Sequence, residues 1–524
     1  MRQERPRPPS VAPAADRRGW LAPGLNPVWF EVAGVMAAWL VFAWSLTAGR
    51  AAFAYDSLRD VAYAIGIARG EWLQDPMIAG LPAWYPPAMP AFFALVSRVS
   101  GQPAAACYAS AGLWFAWLGP VFLYLLVRGV WNRTTAVLSL VCVLLGSRWW
   151  LLHAAQPMAS VQSVSIALAT LIAWRHAARS GGAWLVGTVL LASLTIWCHI
   201  LCGAMVVGTI ALHAAGMWLR GGTHVDPSRL AMTKRAAWVV VGALALGAPP
   251  LVQQLTLPRL NDGPHHWFGP ELHDPKFALH SRTPLVILFG VLGLGSMGSR
   301  WASEGWVVSY FALGLLGALL GYAGHDLGWP VPWLLPHTLQ WHQQLAFTIA
   351  AAVGIVRSAQ RAGKSQAQRR LLIVAFAALA VGPALPELKT ANSYLLIVGP
   401  SWRSVIQTAE WLDAHAEPHA VLAASPEASY MICGLVGRRA VVLPQGHLNP
   451  AADFEQRLAA ASRMLLTDRE STFVQVAREY QVDYLLSTND VTPARVRATY
   501  PSWKSLELVR AEDSTALLYR VRAR

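Results

Sequence analysis

Charged residues are scarce in this chain of 524 residues, and their scarcity excludes most kinds of soluble protein. Asp, Glu, Lys and Arg make up 13% of the sequence, against roughly 25% in an ordinary soluble domain. Hydrophobic residues make up 55%, and the mean hydropathy is +0.38. These values exclude a disordered chain and a nucleic-acid-binding protein with a soluble core, and they argue against a cytosolic enzyme. They favour a polytopic α-helical membrane protein.

Cysteine is also rare, with five in the whole chain. Four of them lie in apolar stretches, where a free thiol packs as a small hydrophobe. Cys433 is alone in the polar C-terminal part, so that part contains no disulfide of its own. Cys198, His199 and Cys202 fall within one helical turn, but a metal site needs more ligands than these.

Acidic residues are fewer than basic ones, which leaves a formal net charge of +14. In a soluble protein this excess would indicate an anionic partner. In a membrane protein it indicates orientation, because Lys and Arg collect in the cytoplasmic loops. We therefore expect no nucleic acid partner.

Residues 1–26 are rich in Arg and Pro, and they lack the apolar core and the cleavage site of a signal peptide. We expect them to form a cytoplasmic tail, and residues 27–48 to form a first span that is directed outward. The segment 50–103 is too polar for the bilayer and is predicted to be the first outside loop. Its apolar part, 85–99, is short and contains proline and arginine, which indicates an interfacial or re-entrant segment.

Ten further spans follow from length and apolarity, which makes about eleven with the first. The Lys and Arg clusters between them all fall in turns on one side of the membrane, as the positive-inside rule requires. An odd number of crossings places the C-terminus outside. The ten spans are predicted at 104–128, 134–152, 157–175, 183–199, 201–219, 235–253, 283–299, 304–323, 342–357 and 370–387.

The composition becomes mixed from about residue 387. We therefore assign 27–387 to a transmembrane domain and 388–524 to a small extracytoplasmic α/β domain, in which helical periodicity alternates with short apolar stretches. Helices are predicted at 402–415, 454–465 and 468–480, and strands at 420–423, 440–443, 482–487, 505–510 and 515–521.

The densest group of ionisable residues in the transmembrane domain follows the first span. It contains Asp56, Arg59 and Asp60, and at helical spacing Asp56 shares a face with each of the other two. An acid near a cation at the membrane boundary stays ionised, which is the state that a general base needs. The alternative is helix capping, with Asp56 as the N-cap and Arg59 as a surface partner.

The outside loop before residue 283 carries a second concentration of His and acidic residues. Imidazole and carboxylate groups together suit a divalent metal, although their spacing matches no strict ligand pattern. Basic residues around them suit a lipid phosphate, and the loop can equally use His and Asp for turns. The metal candidates are His265, His266, Glu271, His273 and Asp274, and the phosphate candidates are Arg259, Lys276 and Arg282.

Aromatic and polar residues mark further outside positions that a substrate could contact. Trp and Tyr are ordinary anchors at membrane interfaces, and they are also the residues on which sugar rings stack. Most of the 25 Trp must be anchors or core. The candidates for substrate contact are Asp60, Trp84, Tyr85, His153, Trp267, Gln340 and Trp341, with His337 and His342 beside the last two.

Several features, taken in order, resemble the GT-C superfamily of polytopic glycosyltransferases, which use a lipid-phosphate sugar donor. The chain has a span before Tyr55-Asp56, then an amphipathic stretch from Asp60 to Gly70, then Tyr85-Pro86-Pro87 before an apolar segment. A long span ends in LLVRGVWNR. The C-terminal stretches TAEWLDAH, GLVGRRAVVLP and YQVDYLLS are similar to the soluble domain of bacterial members. Protein O-mannosyltransferases and the aminoarabinose transferase of lipid A belong to this superfamily.

The resemblance implies that Asp56 is the catalytic base or positions the acceptor, because it matches the acid after the first span. It also implies that Arg59 supports the donor phosphate. The chain departs from the family pattern at the second outside loop, which offers His153 in place of an acid. It departs again at a late span, where His337 and His342 occur in place of an Arg that grips the lipid phosphate.

The sequence therefore predicts a membrane glycosyltransferase that transfers a sugar from a polyprenyl-phosphate donor to a glycan, lipid or protein acceptor. The reaction is expected on the outer face of a bacterial plasma membrane, with inversion at the anomeric carbon. The chain has no cofactor motif, and a divalent metal is left open. Two alternatives are also open: a transporter or flippase of a lipid-linked glycan, and a non-catalytic GT-C-like binding protein. Acids at the outer boundary of the spans favour the enzyme, because transporters place ionisable residues near mid-span.

Overall fold

The structure is a computed structural model. Apolar helices form the N-terminal part of the chain, and a smaller unit with a β-sheet follows them. Helices and strands are numbered here in chain order. The structure describes residues 27–47, 56–147, 150, 153–156, 158–220, 227–260, 284–326, 336–382, 402–512 and 515–522.

Every stretch predicted to cross the membrane contains a helix, because a long apolar run in lipid must satisfy its backbone hydrogen bonds internally. Two of these stretches are divided into a pair of helices. The helices are α1 (Pro27–Thr47), α4 (Ala104–Trp114) with α5 (Leu118–Val130), α6 (Arg133–Gly146), α7 (Ala159–Ser180), α8 (Ala183–Cys198), α9 (Ile200–Leu219), α10 (Pro227–Leu246) with α11 (Ala248–Thr256), α12 (Pro284–Gly298), α13 (Trp301–Asp326), α14 (Pro336–Ala362) and α15 (Gln366–Val381).

By length and apolarity, four segments of the described chain are each sufficient to cross a membrane: α1, α4 taken together with α5, α9 and α13. The number of such segments rises to five if the bent pair α10 and α11 counts as one span. These two helices meet at an angle of 60°, because Pro at the start of α11 cannot donate to the preceding turn and begins a new helix. The total of eleven crossings stays a prediction.

The basic turns that were predicted to share one side of the membrane meet at one end of the helical bundle. Arg128 contacts Glu31 of α1, with Nε and Oε2 2.6 Å apart. Glu304, at the start of α13, accepts hydrogen bonds from Arg357 near the end of α14 at 2.6 and 2.7 Å and from Trp131 Nε1 at 2.9 Å. These contacts agree with the predicted arrangement of loops, while the orientation in the membrane stays a prediction.

The predicted first outside loop folds into two helices, α2 (Ser57–Ala68) and α3 (Ala88–Ser100). The 13 residues of α3 rise about 20 Å at 1.5 Å per residue, against a hydrocarbon core of about 30 Å. The segment predicted to be interfacial or re-entrant is therefore a helix too short to cross a bilayer. It packs on α4 through Phe93, whose ring stacks on Tyr108 with centroids 3.7 Å apart.

The C-terminal unit is built on a five-stranded sheet in the order β2-β1-β3-β5-β4. The strand β1 pairs in parallel with β2 and β3, and β5 pairs antiparallel with β3 and β4. All five strands lie within or close to the predicted stretches, while the predicted boundary at 387–388 lies outside the described residues. The elements are α16 (Arg403–His415), β1 (Val421–Ala423), α17 (Pro426–Val436), β2 (Arg439–Ala440), α18 (Phe454–Leu466), α19 (Glu470–Glu479), β3 (Tyr484–Thr488), α20 (Ala494–Arg497), β4 (Leu506–Glu512) and β5 (Ala516–Val521).

Helix α17 was not predicted, although its ends carry ordinary helix signals. Ser425 is the N-cap, and its side chain accepts a hydrogen bond from the Ala428 amide at 3.3 Å. Pro426 is the first helical residue, and Gly437 ends the helix with φ 62°. These are the residue types favoured at these three positions. The apolar run between Pro426 and Gly437 does not by itself predict a helix or a strand, because buried helices and strands look alike over a short stretch.

The outside loop and the C-terminal unit share one hydrophobic core. Val61 of α2, Phe93 of α3 and Ile432 of α17 are all fully buried in it. The helices α2 and α17 approach so closely that a Cβ on Gly434 would lie 2.5 Å from Leu58 Cβ and 3.0 Å from its Cα. A glycine is therefore required for this contact, and the two parts of the chain pack as one body.

Buried hydrogen bonds join the same two parts. The Asp75 carboxylate accepts hydrogen bonds from the amides of Met77 and Ile78 at 2.8 and 3.0 Å and from Asn449 Nδ2 at 2.9 Å. The Ala440 amide of β2, an edge strand of the sheet, donates to the Met77 carbonyl of the loop at 2.8 Å. Burial raises the pKa of Asp75, so these donors are needed to keep an acid at this position.

We expect Gly434→Ala to weaken the contact between the outside loop and the C-terminal unit. The added methyl group has no space against the Leu58 backbone, and overpacking of this kind costs about 1–3 kcal/mol. The melting temperature in detergent should fall, and a protease should release the C-terminal unit faster. Gly187→Ala in α8 is the matched control, since a Cβ there meets nothing within 4 Å. Equal melting temperatures for the two variants would contradict this account of the packing.

Candidate active site

Asp56 lies immediately before α2, at the end of the helical bundle opposite the basic turns, which is the end predicted to face outward. Its backbone is helical, with φ −63° and ψ −25°, and its side chain makes no capping hydrogen bond to the described first turn of α2. The capping alternative is therefore not realised. Its carboxylate oxygen Oδ1 instead lies 3.5 Å from His447 Nε2, and 40% of the side chain is exposed. A carboxylate with this exposure can reach both a substrate and solvent.

Two residues of the C-terminal unit stand beside Asp56. His447 ends a short 3-10 turn, Gln445–His447, and its ring stacks on Tyr430 of α17 with centroids 4.4 Å apart. The Tyr430 hydroxyl is 3.0 Å from His447 Nδ1 and accepts a hydrogen bond from the Arg59 amide at 3.2 Å. Burial lowers the pKa of His447 to about 4, against the opposing effect of Asp56, so the ring is neutral at pH 7.

Arg59 is held between aromatic rings and acids. Its guanidinium carbon lies 3.9 Å from the centroid of the Tyr85 ring and 5.6 Å from that of Trp84. Its Nε is 3.7 Å from Asp60 Oδ1, and 13% of the side chain is exposed. Stacking on an aromatic face is favourable for a guanidinium. The structure thus brings together four predicted site residues, Arg59, Asp60, Trp84 and Tyr85. Asp56 lies about one helical turn before Asp60, just ahead of the same helix.

Asp60 differs from Asp56 in its environment. It is fully buried, and its Oδ2 accepts a hydrogen bond from the Ala159 amide at 2.9 Å. Ala159 is the first residue of α7, where a carboxylate is favoured by the helix dipole. Burial raises the pKa of Asp60 to about 6, and Arg59 and the Ala159 amide oppose that rise. Asp60 therefore links α2 to α7, while Asp56 is the exposed acid of the pair.

The first turn of α7 connects this group to a polar layer inside the bundle. Cys202 of α9 donates to the Ser160 carbonyl at 3.4 Å, and its Sγ is 3.3 Å from His342 Nε2. The other ring nitrogen of His342 is hydrogen-bonded to the Tyr310 hydroxyl. The buried polar residues of this part of α14 are Thr338, Gln340, His342, Gln343, Gln344 and Thr348.

Two predicted substrate residues from different loops also meet. The rings of His153 and Trp341 lie with their centroids 5.2 Å apart. Trp150 fixes this pair, because its Nε1 donates to the Trp341 carbonyl at 3.2 Å. The loop between α6 and α7 therefore lies against the start of α14, as expected if both are at the outer end of the bundle.

The segment that carries Trp84 and Tyr85 is anchored on both sides. The Tyr63 hydroxyl accepts from the Trp84 amide at 3.1 Å, and the side-chain amides of Gln253 and Gln254 donate to the carbonyls of Ala83 and Trp84. The bend between α10 and α11 brings these glutamines to the loop. Burial raises the pKa of Tyr85, so its hydroxyl stays protonated beside Arg59.

Most of the predicted metal and phosphate residues lie outside the part of the chain that the structure describes. Arg259 is an exception: it is described and exposed. The side chain of His337 is not described. Within the described ranges, no group of three or more His, Cys, Asp or Glu lies close enough to hold a metal. The predicted residues that fall outside the described chain are His265, His266, Trp267, Glu271, His273, Asp274, Lys276 and Arg282.

No sequence pattern indicated that His447 and Tyr430 lie near Asp56, or that Cys202 and Tyr310 contact His342. The first two lie more than 370 residues from Asp56, and no local pattern joins them to it. The capping signals of α17 would have identified the helix that carries Tyr430, but not the residue that it meets. His447 is followed by Leu448 and Asn449 in a stretch without periodicity, which gave no signal.

Removing the Asp60 carboxylate should destabilise the fold more than neutralising it. Asp60→Ala leaves a buried amide and Arg59 without their partner, at a cost of about 3–5 kcal/mol, whereas Asp60→Asn keeps an acceptor for the Ala159 amide. We expect a larger fall in melting temperature for the Ala variant, measured by thermal unfolding in detergent. A fall of the same size in both variants would show that the charge, and not the hydrogen bond, dominates.

The same residue has a pH signature. Because burial raises the pKa of Asp60 from 3.8 to about 6, the folded state binds more protons than the unfolded state between these values. Its contribution to stability is therefore largest below about pH 4 and falls as the pH rises to about 6. In wild type, the melting temperature should therefore fall as the pH rises through this range. Asp60→Asn should remove this dependence on pH, and an unchanged dependence would contradict the account of Asp60.

No model of a known protein family and no curated protein matches the sequence, but solved structures match the fold. The oligosaccharyltransferase of Archaeoglobus fulgidus tethered to an acceptor peptide aligns over 88% of this chain and 69% of its own, with a TM-score of 0.59 and 11% identity. ArnT from Cupriavidus metallidurans bound to undecaprenyl phosphate aligns over 94% and 98%, with a TM-score of 0.55 and 14% identity. The arabinofuranosyltransferase AftD from Mycobacteria aligns over 95% and 40%, with a TM-score of 0.57 and 15% identity. All three are GT-C glycosyltransferases, and the chain therefore has the GT-C fold that its sequence resemblance predicted.

Proposed function

We propose that the protein is a membrane glycosyltransferase that takes a sugar from a polyprenyl-phosphate donor and transfers it to a hydroxyl of a glycan, lipid or protein acceptor. The fold supports this proposal along nearly the whole chain, since ArnT matches over 94% of this chain and 98% of its own. ArnT has been crystallised with undecaprenyl phosphate, and the archaeal oligosaccharyltransferase with an acceptor peptide. The first is the carrier part of the proposed donor, and the second is one of the proposed kinds of acceptor.

The observation that carries the proposal is the position of Asp56. It is an acid with 40% of its side chain exposed, at the outer end of the bundle, between the outside loop and the C-terminal unit. As the acceptor oxygen attacks the anomeric carbon, Asp56 takes the proton from the acceptor hydroxyl. The bond between that carbon and the phosphate oxygen breaks in the same displacement, so the configuration of the carbon is inverted. The polyprenyl phosphate leaves with the bonding electrons.

Positive charge is needed where the phosphate departs. Arg59 supplies one such charge beside Asp56, held in place by Tyr85. We propose that Arg259, with Lys276, Arg282 and His337, provides the rest from the outside loops. His342 is fully buried against Tyr310 and Cys202, and we propose that it orders the polar layer of α14 rather than touching the phosphate.

Aromatic residues around this position suit a sugar. Trp84, Tyr85 and the pair formed by His153 and Trp341 lie at the outer end of the bundle, and flat rings with a polar edge bind the faces of sugars. We propose that they line the groove for the donor sugar and the acceptor, together with Trp267, whereas Gln340 is fully buried and belongs with His342 to the polar layer of α14. Asp60 stabilises this groove through its contacts with Arg59 and with the first residue of α7.

The bilayer supplies a further partner. A cavity of about 570 Å³ lies between α1, α5 and α6, with Glu31 and Arg133 at one end and apolar walls elsewhere. Water gains no hydrogen bonds against such apolar walls, and we propose that lipid chains occupy this cavity. We propose that the protein is integral to a bacterial plasma membrane, with its N-terminus cytoplasmic and its C-terminal unit outside.

Replacing Asp56 tests the proposed function. In lipid nanodiscs, wild-type protein should transfer label from one of a panel of radiolabelled polyprenyl-phosphate sugars to acceptors in a membrane extract. Asp56→Asn should lower the rate by about 100-fold or more, because loss of a general base removes this much. Asp490→Asn, at an exposed turn, is the matched control and should keep the wild-type rate. A parallel assay with a chelator reports whether a divalent metal is required.

Three outcomes would contradict parts of the proposal. Full activity of Asp56→Asn would exclude this base and direct attention to Asp60 or the His-rich loop. Movement of the labelled donor between the two leaflets without any transfer would instead favour a flippase. Donor binding with neither movement nor transfer, across the whole panel, would favour a non-catalytic binding protein.

A further inference from the structure

We propose that His447 of the C-terminal unit is a positioning residue for the catalytic base, and that it holds Asp56 through a hydrogen bond from Nε2–H. The inference rests on the proposed function, because it concerns the base of that reaction. It makes the C-terminal unit a part of the active site, whereas the sequence analysis assigned that unit no chemistry.

The ring of His447 is held on two sides. Nε2 is 3.5 Å from Asp56 Oδ1, and Nδ1 is 3.0 Å from the Tyr430 hydroxyl. The ring also stacks on Tyr430 with an interplanar angle of 21°, and 5% of the side chain is exposed. A ring packed in this way keeps Nε2 directed at the carboxylate. Catalytic hydrogen bonds are often this long before substrate binds and shorten when it does.

The proposal includes the tautomer of His447. The backbone amide of Arg59 can act only as a donor, so the Tyr430 oxygen accepts from it at 3.2 Å. The proposal assigns the hydrogen of the Tyr430 hydroxyl to His447 Nδ1, 3.0 Å away, which then accepts. In a neutral imidazole the other nitrogen must carry the proton. Nε2 is therefore the donor, and it faces Asp56.

A neutral donor suits a general base better than a charged one. Burial lowers the pKa of His447 to about 4, so near pH 7 the ring contributes a hydrogen bond but no full charge. A hydrogen bond to the charged form of a carboxylate lowers its pKa. The effect keeps Asp56 ionised, while a full positive charge at this position would lower the pKa further and weaken the base.

The packing of α17 on α2 maintains this geometry. Gly434 and Leu58 are in close contact, one helical turn from Tyr430 along α17. The His447 and Leu448 amides both donate to the Pro444 carbonyl, at 2.9 and 3.0 Å, which fixes the turn that presents His447. Among the described residues, the charged and titratable groups that interact with Asp56 include Arg59 and Asp60 from α2, Tyr85 from the outside loop and His447 from the C-terminal unit.

The test compares variants that separate the ring from its hydrogen bond. His447→Phe keeps a ring to stack on Tyr430 but has no N–H, whereas His447→Gln restores a side-chain N–H donor. Measured across pH with the donor that wild type uses, His447→Phe should lower kcat by about 10- to 100-fold, and the acidic limb of its pH profile should move up by about one unit. His447→Gln should recover most of the wild-type kcat and most of the wild-type pH profile. KM should change little in either variant.

His415→Phe is the matched control, because His415 also stacks on an aromatic ring of the C-terminal unit, that of Trp411 at 4.6 Å. It lies on α16 and is exposed, so its replacement should leave kcat and the pH profile unchanged. Melting temperatures of all variants, measured in the same nanodiscs, should stay within a few degrees of the wild-type value. If His447→Phe does not fold, Tyr430→Phe carries the test, because it keeps the stacked ring but removes the hydroxyl that holds His447 Nδ1, and the acidic limb should again move up.

A second readout needs no activity. A water-soluble carbodiimide modifies protonated carboxyl groups, and mass spectrometry of the peptide that contains Asp56 gives the pH at which modification is half complete. This midpoint should rise by about one unit in His447→Phe and return toward the wild-type value in His447→Gln. An unchanged midpoint in His447→Phe would overturn the inference, whatever the enzyme transfers.

The outcomes separate this inference from the proposed function. Loss of transfer in Asp56→Asn together with a wild-type kcat and pH profile in His447→Phe would overturn the role of His447 and leave the function intact. Full activity in Asp56→Asn would overturn both the base and the residue that positions it. Absence of transfer by wild type would count against the function, and the carbodiimide midpoint would then decide whether His447 tunes Asp56.

Discussion

The structure depends most on the close contact between α2 of the outside loop and α17 of the C-terminal unit. This contact requires a glycine at 434 because a side chain would meet the backbone of Leu58. It buries the apolar faces of both helices in one core, and it joins segments that are separated by more than 350 residues. Neither the loop nor the unit buries this face alone, so each completes the fold of the other.

The packing around α2 gives two neighbouring acids different properties. Asp60 points into the packed side of α2 and lies against the start of α7, so burial raises its pKa. Asp56 is four residues earlier, at the end of the helix, and keeps 40% of its side chain exposed. A difference of one helical turn thus separates a buried carboxyl from a carboxyl that is partly exposed. Desolvation is the physical cause, because it penalises the charged form of the buried group.

The polar inner face of α14 has a related origin. A membrane helix that carries Gln, His and Thr must turn them toward other helices, because unpaired polar groups are costly in lipid. His342 satisfies this requirement through Tyr310 and Cys202, and Gln344 through Ser147 at 2.5 Å. This layer lies directly beneath the first turn of α7, so the interior of the bundle supports the helix end that holds Asp60.

The sequence by itself determined the class of the protein, the positions of its apolar helices and the strands of the C-terminal unit. These features are carried by composition, hydrophobic periodicity and turn residues, which act over short distances along the chain. Tertiary structure alone decided that Asp56 faces His447 and that Asp60 is buried. It also decided that Arg59 stacks on Tyr85 and that α17 belongs to the site. Such contacts join distant segments through shape and burial, and a single sequence records neither.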